Sequence, residues 1–302
     1  MKPFRSGATL GHPYLLLTLT ALFWAGNMVM GRAVRADVPP IALAFWRWVI
    51  ALTLVLPFAL PPLRTQWPLL RKAWRPVLIL GAVGIGGYNT FAYVALQYTT
   101  ATSATLLNSF IPVATIALAF LLLGKRLSAM EGWGVLVSLF GVLMLVSHGS
   151  LQTLLGLSLN TGDLWMLTAV LTWGLYTVGL QWRPQGVDPM LMLAAFTVVG
   201  LIVLAPVYAW ELSGGRSINP SLPAIGGILY IGIFPGFLGY VFYNAGVAAV
   251  GPNRSSLFIH LMPVFATILA ALFLDERPYW YHFAGIALVF VGIILTTRKP
   301  AG

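Results

Sequence analysis

Few residues of this chain suit acid–base, nucleophilic or metal chemistry, and those few are scattered. The 302 residues include no cysteine, which excludes disulfides, thiol nucleophiles and Cys-ligated metals. The four histidines lack metal-ligand spacing. The acidic residues all fall at the ends of apolar runs or in loops, at Asp37, Glu131, Asp163, Asp188, Glu211, Asp275 and Glu276. We therefore expect no buried carboxylate of the kind that carries protons in membrane pumps, and no catalytic site, metal or cofactor.

Arg47 is the one charge that falls well inside an apolar run. Charge within a membrane is costly and is functional by default. A guanidinium can hold a substrate carboxylate through two hydrogen bonds. The alternative is that Arg47 bonds helix-end carbonyls or extends outward to the membrane surface. His260 is the titratable group to test for proton coupling, against the alternative of a neutral, hydrogen-bonded histidine packed in the interior.

Aromatic and amide side chains recur where a binding cavity would need them. Trp24 and Asn27 share a helical face with Thr20 and Gly31, because the spacing is four-three-four. We expect Trp24 and Asn27 to face a cavity and Gly31 to serve helix packing, which is the alternative for the whole face. Further candidates for substrate binding are Tyr88, Asn89, Tyr93, Asn108, Ser109, Trp173, Tyr176, Tyr240, Tyr243 and Asn244. Tyrosines suit a site that holds apolar and polar groups, although some serve as interface anchors.

Two prolines, Pro112 and Pro263, lie in the middle of apolar runs. Proline lacks an N–H and its ring clashes with the preceding turn, so each is expected to kink its helix. Such a kink acts as a gate hinge or only shapes the bundle.

The elements that must position these residues are membrane helices. Hydrophobic residues make up 59% of the chain and charged residues 8%, whereas soluble domains carry roughly a quarter. A span needs about 20 mostly apolar residues. The windows that qualify are 13–32, 41–60, 76–97, 100–123, 131–148, 163–182, 189–210, 223–248, 253–274 and 279–297. The longest connections are expected at 61–75, 149–162 and 211–222, and the first window is interpreted as a retained helix rather than a signal peptide.

The net charge of +10 comes from basic residues in short loops between these windows. With the N-terminus inside, twelve loop Lys and Arg residues fall on the cytoplasmic side and four outside. The positive-inside rule explains this distribution better than a nucleic-acid partner does. The pattern predicts a multi-pass protein of the bacterial inner membrane with both termini in the cytoplasm.

The sequence repeats itself at a shift near 150 residues. At a shift of 151, Pro112-Val113, Arg126, Gly134 and Gly141 match Pro263-Val264, Arg277, Gly285 and Gly292. We expect two five-helix repeats, residues 1–150 and 151–302. Because five is odd, the second repeat enters the membrane in the opposite direction. Such inverted repeats place a substrate site near the midplane between the halves.

These motifs resemble one known superfamily across nearly the whole chain. The residues that carry the resemblance are Trp24-Ala25-Gly26-Asn27, Pro39-Pro40, Arg47, Pro112-Val113, Lys125-Arg126, Gly134, Gly141, Pro263, Glu276-Arg277, Gly285 and Gly292. They resemble the EamA-type drug/metabolite transporters, which implies ten helices, cytoplasmic termini, a central cavity and export of small metabolites. The chain is most similar there to bacterial exporters of amino acids, particularly aromatic ones. It departs from the pattern at Phe196, which matches Arg47 at a shift of 149, and at Lys125, where many relatives have an acid.

The fold class expected is therefore an all-α integral membrane protein of ten helices around a central cavity. The function expected is alternating-access export of amino acids, broad or aromatic-preferring, by a protein surrounded by membrane lipid. Alternatives are other small metabolites or drugs on the same fold, or a passive channel. An integral-membrane enzyme is disfavoured, because the loops offer neither a His-Asp cluster nor paired carboxylates. The sequence leaves open the substrate, the direction of net transport, ion coupling and the oligomeric state, for which a monomer is one possibility.

Overall fold

The computed structural model describes residues 12–95, 98–99, 101–156, 160–273 and 279–297. The matched loop residues Asp275, Glu276 and Arg277 lie outside the described residues, as do the terminal basic residues Lys2, Arg5, Arg298 and Lys299. Long helices separated by short connections make up the described chain. They are α1 (Pro13–Ala33), α2 (Pro40–Lys72), α3 (Trp74–Ala95), α4 (Ala101–Asn108 and Ile111–Leu123), α5 (Ala129–Val146), α6 (Thr161–Trp182), α7 (Pro189–Ser213), α8 (Leu222–Val250), α9 (252–273) and α10 (Trp280–Thr297).

Local sequence explains many helix ends. Proline occupies the first turn of α1, α2, α7 and α9, where its missing N–H costs nothing. Capping boxes begin two helices, Ser128 with Glu131 at α5 and Asn160 with Asp163 at α6. The second part of α4 ends at Gly124, whose φ of 64° is left-handed and therefore favours glycine.

Eight helical stretches among the described residues are long and apolar enough to cross a membrane. They coincide with eight of the predicted windows. The other two windows, at the N-terminus and at 253–274, are helical as α1 and α9, and the count of ten spans stays a prediction. Bulky apolar side chains point outward on most helices, and tryptophans Trp67, Trp74, Trp133, Trp210 and Trp280 are more than half exposed. Such exposed belts suit lipid contact.

The prediction of a long connection at 61–75 is wrong. Helix α2 continues through Pro57, Pro61, Pro62 and Pro68 to Lys72, and α3 begins at Trp74. Each proline removes one hydrogen-bond donor, while the flanking residues keep the backbone ladder. A helix near lipid persists because its backbone groups find no better partners elsewhere. The connection at 149–162 contains a short helix, Leu151–Leu155.

Eight helices form a closed ring in the order α1, α8, α2, α7, α3, α6, α4 and α9, and every neighbour comes from the other half of the sequence. The pair α5 and α10 packs outside this ring. Their backbones touch through glycines: Gly134 faces Gly292, and Gly141 faces Gly285. A Cβ on Gly141 would lie 2.7 Å from the Gly285 carbonyl oxygen. Because rising numbers in α5 meet falling numbers in α10, these two helices run antiparallel.

Helix bounds recur at the shifts found in the sequence. A shift of 151 carries α5 onto α10 end for end. The same shift carries a seven-residue π-helical segment of α3, Gly81–Gly87, onto a second one in α8, Gly232–Leu238. π-helical turns are rare and often mark functional sites. The backbone of the N-terminal helices is therefore repeated in detail by the C-terminal helices.

Candidate functional site: two connected cavities

A cavity of about 970 Å³ lies inside the ring, between α1, α2, α3, α4, α6 and α9. Its wall includes the exposed residues Arg35 and Ala36, so it opens at the end of the bundle that carries residues 34–39. Apolar side chains such as Leu43 and Met166 supply most of the wall. Among the described residues, none that lines it comes from the opposite end, which carries residues 124–128 and 183–188. We call this space the main cavity.

A second space of about 50 Å³ adjoins the main cavity and is called the small cavity. The two share Asn27, Ala92, Tyr93, Ile259 and Met262 as lining residues. The positions of the cavities along α6 show their relative depth from the opening. Met166 lines the main cavity, Trp173 lines the small one, and Tyr176 lines neither. At about 1.5 Å per residue, the small cavity lies about 10 Å further from the opening.

Arg47 lines the small cavity and is 2% exposed. Its Nη1 donates to Asn89 Oδ1 at 3.0 Å, and its guanidinium lies 5.0 Å from the ring centre of Trp48. No described carboxylate pairs with it. The suggestion that Arg47 extends to the membrane surface is therefore wrong, because the side chain points into the protein interior.

Three polar side chains, those of Tyr88, Asn108 and His260, link the helices around the two cavities. The Tyr88 hydroxyl donates to Asn108 Oδ1 at 2.8 Å, which joins α3 to α4. His260 bridges α9 to α4 and α5: Nε2 lies 2.8 Å from the Ser109 carbonyl and Nδ1 lies 2.8 Å from Ser138 Oγ. A carbonyl only accepts, so Nε2 carries the proton. The Ser138 hydroxyl has one proton and two acceptors within reach, His260 Nδ1 and the Val135 carbonyl at 3.0 Å, and Nδ1 of a neutral imidazole accepts that proton when the hydroxyl turns toward it. The geometry thus suits the neutral, packed histidine.

Five buried rings, Trp24, Trp173, Tyr176, Tyr240 and Tyr243, form an aromatic layer at the deep side of the small cavity. The ring centres of Trp24 and Trp173 are 5.0 Å apart in an edge-to-face arrangement, and those of Trp173 and Tyr243 are 5.3 Å apart. The deeper members are fixed from behind, since Tyr176 donates to Asn244 Oδ1 at 2.9 Å and Tyr243 Oη lies 3.0 Å from Thr177 Oγ1. This layer separates both cavities from the opposite end of the bundle.

The aromatic layer is anchored on the two π-helical segments. Trp24 Nε1 donates to the Pro235 carbonyl at 3.2 Å, and the Tyr240 hydroxyl donates to the Gly84 carbonyl at 3.0 Å. Gly84 and Pro235 are 151 residues apart and therefore occupy equivalent places in the repeat. Neither contact was expected from the sequence, because backbone carbonyls carry no sequence signal.

The predicted site residues divide into three groups. The main cavity is lined by Asn27, Tyr93, Asn108, Ser109, His260 and Pro263. The small cavity is lined by Trp24, Arg47, Tyr88, Asn89, Trp173 and Tyr240, with Asn27 and Tyr93 shared. Tyr176, Tyr243 and Asn244 line neither cavity, because the two tyrosines are the deeper members of the aromatic layer and their hydroxyls bond across α6 and α8, Tyr176 to Asn244 and Tyr243 to Thr177.

The prolines stand beside helix interruptions rather than at the middle of a kinked helix. Helix α4 is interrupted at 109–110, and Pro112 falls in the first turn of its second part. In α9 a 3₁₀ turn, Phe258–His260, precedes the part that contains Pro263. Proline fits there because the first N–H groups of a helical segment have no partner within it. A role as gate hinges stays a prediction.

Two carboxylates are buried, which corrects the expectation that none would be. Glu211 is 5% exposed and accepts hydrogen bonds from the backbone N–H groups of Ile41 and Ala42, at 3.1 and 2.7 Å. Asp163 is 3% exposed and accepts from Thr99 at 2.6 Å. Both serve helix N-termini, where a negative charge is favourable. The sequence placed them at helix ends but did not reveal the partners that bury them.

The end opposite the opening is tied by polar contacts between α5 and α9. Arg254 Nε lies 3.2 Å from Glu131 Oε1, the one ion pair among the described residues. At the same end, the Asp188 N–H donates to Gln66 Oε1 at 2.6 Å. The bundle is thus open at one end and closed at the other.

Fold and site define a multi-pass membrane protein with an internal cavity for a small molecule. The sequence profile of the EamA-like transporter family matches the chain twice, over residues 12–147 and 160–298. The chain therefore belongs to the EamA-like transporter family, and it is a transporter rather than an enzyme.

Similar proteins span nearly the full length. An uncharacterized transporter, YyaM of Bacillus subtilis (strain 168), is 26% identical over 282 residues, covering 93% of this chain and 92% of the relative. A probable terminal-alkyne amino-acid exporter of Streptantibioticus cattleyicolor is 26% identical over 292 residues, covering 95% and 93%. A solved crystal structure, described only as that of a protein, superposes with a TM-score of 0.78 at 20% identity, covering 94% of this chain and 96% of that one. That structure shows the same fold.

Proposed function

We propose that this transporter exports amino acids by alternating access. The observation that carries the proposal is the pair of connected cavities, open at the 34–39 end and closed by the aromatic layer and the Glu131–Arg254 ion pair at the other. A carrier exposes its site to one side at a time, whereas a conducting channel needs a continuous pore. The closed layer therefore favours a carrier.

The wall of the main cavity favours a small amphiphilic cargo. Amide and hydroxyl groups at Asn27, Tyr93 and Asn108 alternate with apolar side chains, which is the lining that binding sites for small organic molecules share. Among the described residues, no carboxylate lines either cavity. A cationic drug would find no counter-ion there. The relative named as a probable amino-acid exporter adds support for amino acids.

Two inverted repeats, 1–150 and 151–302, account for the mechanism. The proposal is supported by the recurrence of helix bounds at a shift of 151 and by the antiparallel course of the equivalent helices α5 and α10. In such folds one repeat moves against the other around a fixed site. Exchange of the open and closed ends would then follow from an exchange of conformation between equivalent helices.

The orientation proposed has both termini in the cytoplasm of a bacterium, with the main cavity open to the outside. Because the chain has no cysteine, a single introduced thiol reports the side of the membrane directly. In whole cells, Ala36→Cys should react with a membrane-impermeant maleimide and Gly186→Cys should not. Reaction of Gly186→Cys alone would reverse the orientation.

Transport is tested with purified protein in liposomes. We expect labelled amino acids, aromatic ones included, to enter with saturable kinetics and to show counterflow when unlabelled amino acid is present on the other side. Gly31 lines the main cavity, with only one atom within 4 Å of a Cβ there, which corrects the expectation that it serves helix packing, and Gly31→Trp should therefore abolish the flux. Gly132→Trp is the matched control, since nothing lies within 4 Å of a Cβ there and the ring would face lipid.

Other outcomes separate the alternatives. Saturable counterflow of drugs, nucleosides or sugars without flux of any amino acid would keep the carrier and change the cargo. Unsaturated ohmic conductance without counterflow would identify a channel and overturn the proposal.

A further inference from the structure

The small cavity holds an unusual set of buried polar atoms without partners. Among the described residues, Arg47 Nε is buried without a hydrogen bond, and Asn89 Nδ2 and Trp173 Nε1 are buried with no well-aligned acceptor, since the Tyr240 and Tyr243 hydroxyls near them are already engaged with Gly84 and Thr177. All three residues line the small cavity, and all are at most 5% exposed. Leaving a buried donor unpaired costs about 1–3 kcal/mol, and more for a charged group. A charged donor without a partner, beside two donors whose nearby acceptors are shared, indicates a site whose acceptor is a ligand.

Each of the three groups can only donate. Arginine and the indole nitrogen have no acceptor capacity, and the amide of Asn89 is fixed because its Oδ1 accepts from Arg47 Nη1 at 3.0 Å. A flipped amide would place an NH₂ group against a guanidinium, donor against donor. Asn89 therefore presents its NH₂ group to the ligand. The guanidinium adds a positive charge that no described carboxylate neutralises.

From this geometry we infer that the small cavity is a carboxylate subsite, which receives the carboxylate of the substrate while the rest of the molecule stays in the main cavity. The inference rests on the proposed function and names the end of the substrate that enters first. A volume of about 50 Å³ exceeds the roughly 10–15 Å³ that one water requires and admits a carboxylate-sized group, but not a whole amino acid. The aromatic rings of Trp24, Tyr88 and Tyr240 lower the local polarity of the wall and so strengthen the charge interaction.

An unpaired acceptor lies where the two cavities meet. Asn27 Oδ1 is buried without a partner among the described residues, and Asn27 lines both cavities. An α-amino acid with its carboxylate in the small cavity carries its ammonium group two bonds away, near this boundary. Asn27 thus supplies an acceptor for the ammonium group, and the side chain of the substrate extends into the larger, mostly apolar space.

The subsite is tested with three ligands that share one side chain: phenylalanine, phenylalanine amide and 3-phenylpropionate. Their equilibrium binding to purified protein in detergent is measured by tryptophan fluorescence, alongside flux in liposomes. Phenylalanine and phenylpropionate should bind the unaltered protein, and the amide should bind at least about tenfold more weakly, since a charged hydrogen bond is worth about that factor or more. Equal binding of phenylalanine and its amide would overturn the subsite.

Variants locate the donors. Arg47→Lys should raise the Kd for phenylalanine at least about tenfold, because a lysine cannot reproduce the paired N–H groups, and should leave the weak binding of the amide unchanged. Asn89→Asp should act in the same direction by placing a carboxylate against the guanidinium. Trp173→Phe should weaken phenylalanine binding more than amide binding. Equal loss for both ligands in all three variants would show a structural role only.

A matched control exists for the tryptophan. Trp48 is also buried with an unpartnered Nε1, but it does not line either cavity. Trp48→Phe keeps an aromatic ring beside Arg47 and should leave the preference for carboxylate over amide unchanged. Failure of the function and failure of the subsite are distinguishable. Binding of carboxylates without amino-acid flux would sink amino-acid export alone, whereas equal flux of phenylalanine and its amide would sink the subsite alone.

Discussion

The two π-helical segments have the same length and register but are followed by different side chains. Gly81–Gly87 is followed by Tyr88 and Asn89, whereas Gly232–Leu238 is followed by Gly239 and Tyr240. Asn89 bonds the guanidinium of Arg47. Its equivalent, Tyr240, instead donates to the backbone of the other segment. One segment thus leads into polar side chains of the small cavity and the other into its aromatic wall.

The helices that precede these segments differ in the same sense. Arg47 of α2 matches Phe196 of α7, whose side chain carries no polar group. The ring centre of Phe196 lies 6.2 Å from that of Tyr176. A repeated backbone therefore supports side chains of opposite character on its two halves. The backbone has to be similar in both halves if they exchange conformations, but the ligand is asymmetric, so recognition can reside in one half alone.

The largest effect is expected from breaking the polar pair on the N-terminal side. Asn89→Leu leaves the buried guanidinium with no partner among the described residues and should cost about 3–5 kcal/mol of the free energy of unfolding. Arg47→Leu leaves only a neutral amide unpaired and should cost about 1–3 kcal/mol. The double variant should be close to the unaltered protein, because removing both partners removes the unpaired group. Unfolding in mixed micelles measures all three.

The equivalent residues on the C-terminal side provide the control. Phe196→Leu conserves apolar character and should cost less than about 1.5 kcal/mol. If Arg47→Leu proved more damaging to stability than Asn89→Leu, the guanidinium would have a partner other than Asn89, and the contrast between the halves would weaken.

A second prediction concerns a region where the halves are alike in both backbone and side chain. Gly134→Leu should destabilise the protein by about 3 kcal/mol, because a Cβ would lie 2.6 Å from the Gly292 carbonyl oxygen and two backbones cannot easily separate. Gly132→Leu, two residues away in the same helix, meets nothing within 4 Å and should be neutral or gain up to about 1 kcal/mol of helix propensity. Thermal unfolding in detergent compares them. Equal effects would mean that α5 and α10 are not in close contact.

The sequence was informative where periodicity or repetition carries the signal. Apolar runs predicted the helices, and the match of Gly134 and Gly141 with Gly285 and Gly292 indicated the repeat, although it did not predict that these glycines are in contact. The sequence did not predict contacts that depend on a partner far away in the chain. Glu211 is buried by backbone N–H groups 170 and 169 positions distant, and the carbonyls that anchor Tyr240 and Trp24 carry no side-chain signature. The π-helical segments were equally hidden, because a change from four-residue to five-residue hydrogen bonding leaves composition unaltered.

A smaller effect is expected from one hydroxyl of the aromatic layer. Tyr240→Phe removes the donor to the Gly84 carbonyl and keeps the ring, so it should cost about 1 kcal/mol. Tyr279→Phe, at a residue 60% exposed, should change stability by less than about 0.5 kcal/mol. If the two variants are indistinguishable in urea titrations, the bond to the π-helical segment contributes nothing and the two segments differ less than the contacts suggest.

The smallest change in stability, under about 1 kcal/mol, is expected from Glu131→Gln at the closed end, because the ion pair with Arg254 is partly exposed. Its effect on conformation is more informative, since 1 kcal/mol shifts the ratio of two states about fivefold. Ser256 is fully buried in α9, and Ser256→Cys would be the only thiol in the chain. Its labelling by maleimide should accelerate up to about fivefold when Glu131→Gln is added, and about 1 M salt should mimic part of that gain by screening the pair.

Lys125→Gln, which removes a charge at the same end, is the control and should leave the rate of labelling unchanged. Because the two variants change the net charge in opposite directions, slower labelling with Lys125→Gln would show that net charge holds the end closed. Acceleration by Glu131→Gln alone would assign closure to the contact between α5 and α9, which joins the two halves where the main cavity does not reach.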